Sequence, residues 1–128
     1  MPLYRLSIPS GSLAAAQRAQ IAEAITEIHC EVTGAPALFV HVFFFEAPAS
    51  GTGPRHQVHG TIRAGRTPEQ KQELRNRMRD AVVRIAGCAP EDVAVSTSDT
   101  PARWVMEGGV LLPEPGEETA WLSQRAST

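Results

Sequence analysis

A chain of 128 residues, 42% apolar and 20% charged, is long enough for one domain with a modest core of its own. A net charge of −2 excludes a general electrostatic pull toward nucleic acid or anionic membrane. No stretch approaches the roughly 20 apolar residues of a membrane span, and no basic start leads into a long apolar segment, so a cytoplasmic location is the default expectation.

Pro2 follows the first methionine. Its small size permits trimming of Met1, which would expose a prolyl secondary amine. An α-amino group titrates near neutrality, and apolar burial lowers its pKa further, so such a nitrogen could exchange protons where acid–base catalysis works best. Leu3–Ile8 reads as a short apolar strand beside it. Leu13, Ile21, Ile25, Ile28 and Val32 then recur at helical spacing, with Gly34 as the stop. Leu38–Phe45 is a β-branched and aromatic run, expected as a buried strand. Phe39, Phe43 and Phe45 alternate on one side and Val40, Val42 and Phe44 on the other. Both sides are therefore apolar, which calls for a second chain over the sheet face the helices leave open.

The Gly- and Pro-rich stretch Ala47–Arg55 is expected to be a mobile linker. A third strand is predicted over Gln57–Ile62. Thr67-Pro68-Glu69-Gln70 is then a strong helix start, with an N-cap threonine, proline at the first helical position and glutamine closing a capping box. Leu74, Met78, Val82 and Ile85 line that helix, Gly87 ends it, and Val93–Ser98 is the fourth strand. The tail from Trp104 to Trp121 holds a short strand or hairpin and the Pro-rich run Leu112–Gly116, and is expected to reach onto a neighbouring subunit.

A shift of 53 residues superimposes the halves: Ile21 falls on Leu74, Ile25 on Met78, Val32 on Ile85, Gly34 on Gly87, Val42 on Val95 and Pro48 on Pro101. The fold class is thus α+β. Two tandem β-α-β units, 2–48 and 55–101, form a four-stranded sheet with two helices on one face, followed by a tail over 102–128 in a single domain. Parallel pairing within each unit follows from its right-handed crossover.

Cys30 and Cys88 lack metal or redox spacing and read as free thiols. The His56-x-x-His59 pair has no supporting cysteines or carboxylates, so no metal site is expected. His41 reads as a core or interface histidine. Arg63 and Arg66 end the third strand just before the Thr67 cap, where paired guanidiniums and a helix N-terminus suit a carboxylate. His29 lies near the end of the first helix, and Glu107 is an isolated carboxylate in an apolar tail.

Taken together, Ala24-Ile25-Thr26-Glu27-Ile28-His29, Thr33-Gly34, His59-Gly60 through Arg63-Ala64-Gly65-Arg66, and Glu107-Gly108 running to Leu112–Gly116 carry a family likeness. The chain resembles the tautomerase superfamily, and within it the cis-3-chloroacrylic acid dehalogenase group, in which two β-α-β units are fused. The resemblance implies the tautomerase fold, a homotrimer and no cofactor. It makes Pro2 the acid/base, with Arg63 and Arg66 on the substrate carboxylate. His29 would help to hold substrate, and Glu107 would orient or deprotonate a water. It also exposes a departure, because the alignment puts Ser96 where the dehalogenases carry a tyrosine, and the one tyrosine here is Tyr4 in the first strand. Three activities follow as alternatives. The favoured one is a tautomerase of 2-oxo acids such as phenylpyruvate. The others are a cis-3-haloacrylate dehalogenase or acetylenic acid hydratase, and a non-catalytic oligomeric binding module. None calls for nucleic acid or membrane.

Overall fold

A computed structural model describes residues 1–47 and 53–126, and the side chains through residue 124. The centre of the linker and the Pro48 half of the Pro48/Pro101 correspondence lie outside the described residues. Strands β1 (Leu3–Pro9), β2 (His41–Ala47), β3 (His56–Arg63) and β4 (Val93–Thr100) form one sheet in the order β2-β1-β3-β4. Pairing is parallel inside each unit, β1 with β2 and β3 with β4, and antiparallel where the units meet at β1 and β3. Helices α1 (Ala15–Thr33) and α2 (Pro68–Ala86) pack together over one face.

Local chemistry accounts for the helix ends. The Thr67 hydroxyl accepts from the Gln70 N–H at 3.1 Å, and Gln70 Oε1 accepts from the Thr67 N–H at 2.9 Å, which completes the box. Gly34 and Gly87 close their helices at φ 79° and 69°, a left-handed conformation that a β-carbon disfavours. Between sheet and helices lies one core of Tyr4, Leu6, Ile8, Ile21, Ile25, Val58, Ile62, Leu74, Met78 and Val82, all at most 1% exposed.

Three expectations need correction. The run from Leu38 is not one strand, because Ala37–Phe39 is a 3₁₀ turn and β2 begins at His41. Phe39 turns inward and is fully buried, so it does not share a strand face with Phe43 and Phe45. Nor is β2 a buried strand. It is a sheet edge, with Phe43 and Phe45 at 53% and 44% exposed in the single chain and Arg5 lying 5.1 Å from the Phe45 ring centre. The tail does contain a hairpin, β5 (Met106–Glu107) with β6 (Val110–Leu111). It also contains an unexpected helix α3 (Glu118–Ala126). Trp121 on α3 packs edge-on against Phe39 at 5.3 Å and donates from Nε1 to the Leu111 carbonyl at 2.8 Å. Phe39 is thereby enclosed by residues far from it in sequence.

Among the described residues no helix is long and apolar enough to cross a membrane. Cys30 and Cys88 are free, half-buried thiols.

Candidate active site

The start of the chain is tied down at β1 and β2. Pro2 is buried, and its carbonyl accepts the His41 N–H at 3.0 Å. The terminal ammonium, carried here by Met1, donates to and ion-pairs with Glu107 on β5. Glu107 Oε1 also lies 3.8 Å from His41 Nδ1, whose hydrogen bond is to the Phe39 carbonyl at 3.0 Å. The hairpin thus brings the Glu107 carboxylate against the Met1 nitrogen.

His29 is 1% exposed on α1 and hydrogen-bonds through Nδ1 to the Tyr4 hydroxyl at 2.7 Å. Burial lowers its pKa to about 3, and the positive charges of Arg66, Arg63 and the chain terminus push the same way. Burial raises the Tyr4 phenol far above its ordinary value, outweighing the opposite pull of Arg66. A neutral ring and a protonated phenol share one hydrogen bond here, and a Tyr4 O–H donated to Nδ1 goes with the ring's proton on Nε2.

This pairing depends on Gly60, which stands opposite Tyr4 in the antiparallel register of β1 and β3. A β-carbon at Gly60 would overlap the Tyr4 ring, with Cδ1 at 2.8 Å and Cε1 closer still. Gly60→Ala is therefore expected to cost about 1–3 kcal/mol, as overpacking does, and to displace Tyr4 from His29. Urea unfolding and the NMR shift of the His29 ring check it, and unchanged values for both would refute it.

Arg63, at the end of β3, is 2% exposed. Nη1 donates to the Pro113 carbonyl at 2.6 Å and Nη2 to Glu118 Oε1 at 2.8 Å, and the guanidinium lies 5.3 Å from the Phe39 ring centre. Arg66 donates from Nη1 to the Thr33 carbonyl at 3.2 Å, and its Nη2 is 3.9 Å from the same Glu118 oxygen. Its Nε is buried without a partner among the described residues. Burial lowers the Arg66 pKa, as does repulsion from Arg63, against the opposing effect of Glu118 and Tyr4. Burial raises the Glu118 pKa, but hydrogen bonds from Arg63, its own N–H and Gly116, with the Arg63 charge, bring it below the usual carboxylate value.

Arg63 and Arg66 thus meet at Glu118, both guanidiniums and the chain terminus act electrostatically on His29, and that terminus pairs with Glu107. Ser96 stands on the open face of the sheet, where its hydroxyl bonds to His59 Nδ1 at 2.8 Å, and His59 Nε2 bonds to Ser98 at 3.0 Å. Sequence reasoning missed Glu118, Gly60, the Tyr4–His29 bond and Phe39 as the surface under Arg63. The available sign for Glu118 was an acid just after the Pro115-Gly116 turn, where a helix start favours negative charge. Among the described residues no group of three His, Cys, Asp or Glu side chains is arranged to hold a metal ion.

A four-stranded sheet of two fused β-α-β units, with a buried arginine pair near the chain terminus, defines a tautomerase-fold protein. The family described as "Putative oxalocrotonate tautomerase enzyme" matches residues 1–125, and the chain belongs to it. The chain is similar to N1, a member of the cis-3-chloroacrylic acid dehalogenase family, with 32% identity and a TM-score of 0.89 over 95% of this chain and 91% of that one. A second solved structure, Ps01740, is 37% identical with a TM-score of 0.76, over 83% of this chain and all of its own. A fused 4-OT described as a symmetric trimer is 25% identical with a TM-score of 0.77, over 87% of this chain and 95% of that one. No curated protein matches the chain.

Proposed function

We propose that this protein is a tautomerase of 2-oxo acids such as phenylpyruvate, working in the cytoplasm with the Pro2 nitrogen as its acid/base once Met1 is removed. The observation that carries the reading is the burial of Pro2 just before β1, in a chain whose Arg63 and Arg66 side chains are both buried and both act electrostatically on His29. The neutral Pro2 nitrogen takes a proton from the substrate's enol oxygen or α-carbon and returns it at the other position. Arg63 and Arg66 hold the carboxylate, with the unpartnered Arg66 Nε as one available donor. The His29 Nε2–H and the guanidinium field stabilise the developing enolate. All of these groups act by position and charge, so the reaction needs no cofactor.

Assembly into a homotrimer is part of this reading. Phe43 and Phe45 on the open sheet face, with Trp104 and Met106 at 71% and 63% exposed, form apolar surface that a monomer would leave in water. The symmetric trimer of the similar fused 4-OT supports this arrangement.

A second reading, hydration or dehalogenation of cis-3-haloacrylates, is favoured by the contact of Glu107 with the terminal amine, because a carboxylate there can orient a water. It needs a protonated Pro2, and it lacks a phenol at position 96. With Ser96 in that place, phenylenolpyruvate should turn over faster than cis-3-chloroacrylate by about a hundredfold, the lower range for one missing acid–base group. Faster turnover of the chloro acid would reverse the ranking. Intact-mass spectrometry addresses the non-catalytic alternative, because a retained Met1 keeps the Pro2 nitrogen in a peptide bond and removes the base.

A further inference from the structure

Glu118 has no part in the chemistry proposed above, yet its carboxylate is in contact with both arginines. Oε1 accepts from Arg63 Nη2 at 2.8 Å and lies 3.9 Å from Arg66 Nη2, while Oε2 accepts the Gly116 N–H at 2.8 Å. The two arginine side chains are 1% and 6% exposed, so water screens them little. Two guanidiniums this close repel, and burying them together requires a counter-charge. Among the described residues Glu118 is the acid that ion-pairs with both. The trio carries a net charge of +1, and the neutral His29 beside it adds nothing.

We propose that Glu118 is a specificity-determining residue that restricts the site to monocarboxylates. Its negative charge leaves one positive charge for one substrate carboxylate, and it repels a second carboxylate brought into the same pocket. The inference rests on Arg63 and Arg66 being the carboxylate clamp. Arg63 is also held by the Pro113 carbonyl and by Phe39, so neutralising Glu118 changes the charge of the clamp more than its geometry.

Crotonate and fumarate share a trans-alkene skeleton and differ by a methyl against a carboxylate, so the ratio of their inhibition constants isolates charge. The wild type is expected to bind crotonate at least about tenfold more tightly at pH 7.5 and fixed ionic strength, the effect of one unscreened like charge at several ångströms in a partly polar site. Equal or tighter binding of fumarate by the wild type would overturn the proposal without any variant. Glu118→Gln keeps the shape and an accepting oxygen, and should move the ratio toward fumarate by about tenfold, whereas Glu118→Asp keeps the wild-type ratio. A purely structural role would weaken both inhibitors together and leave the ratio unmoved, as would a role through arginine position alone. Arg63→Ala and Arg66→Ala separate the two levels. If neither weakens crotonate binding, the clamp itself is wrong. If both do while Glu118→Gln leaves the ratio unchanged, only the role of Glu118 fails.

Discussion

Pro2→Ala is expected to lower kcat for phenylenolpyruvate ketonisation by about a hundredfold or more, within the range by which a positioned acid–base group accelerates proton transfer. The variant still loses Met1 and still presents a terminal amine, so the loss measures what the ring contributes: a secondary amine on a backbone of fixed φ. The fold should survive. The hydrogen bond that anchors residue 2 runs from the His41 N–H to a backbone carbonyl, which alanine retains. Far-ultraviolet circular dichroism and the oligomeric state should therefore match the wild type while kcat falls. A variant with kcat within about twofold of wild type would remove Pro2 from the mechanism, and so would a wild-type protein that keeps Met1 and remains active.

The parts of the fold that sequence made legible are those specified within a few residues. Thr67, Pro68 and Gln70 set one helix start by contacts no more than three residues apart, and Gly34 and Gly87 end both helices through their own backbone angles. The doubled β-α-β pattern was visible because each unit buries a helix face whose periodicity is written along one segment. Phe39 shows where this fails. Its neighbours look like a strand, but its place is decided by Arg63 above it and Trp121 beside it, residues 24 and 82 positions away in the chain numbering. Helix α3 is short and follows a Pro-rich turn, and what holds it is its docking onto Phe39 and Arg63, which no local pattern reports.

The site divides in the same way. Pro2, His29, Arg63, Arg66 and Glu107 came from residue type, spacing and family likeness, and the fold gathers them. Glu118 did not, since an acid near the end of an acidic tail looks like any solvated carboxylate until its partners are known. The bond between Tyr4 and His29 spans 25 residues and depends on a bare Gly60 on the facing strand, a condition set by sheet register. Residues suited to chemistry by type can be picked out along a sequence, whereas those that hold them in place are identified by what they touch.

Acid should destabilise this protein earlier than carboxylate titration alone would, and His29 should account for much of it. In the unfolded chain a histidine takes up a proton near pH 6.5, whereas in the folded state the His29 pKa is lowered to about 3, first by burial and then by Arg66, Arg63 and the terminal charge. Between those two values the unfolded state binds more protons, so stability falls as pH is lowered. Its contribution is fully present above pH 6.5 and is lost on the way down to about 3, at a limiting slope of about 1.4 kcal/mol per pH unit. His56 acts in the same sense: burial lowers its pKa, with Arg55 assisting and Asp92 opposing. Glu118, whose pKa is also depressed, adds a loss below the ordinary carboxylate range. His29→Gln cannot take up a proton, so it should flatten the decline between pH 6 and 4 by up to one proton's slope, leaving the part due to His56. Urea unfolding at half-unit pH steps measures the difference. Parallel profiles for wild type and variant would mean that folding does not lower the His29 pKa and that the ring takes up its proton in the folded protein as readily as in the unfolded chain.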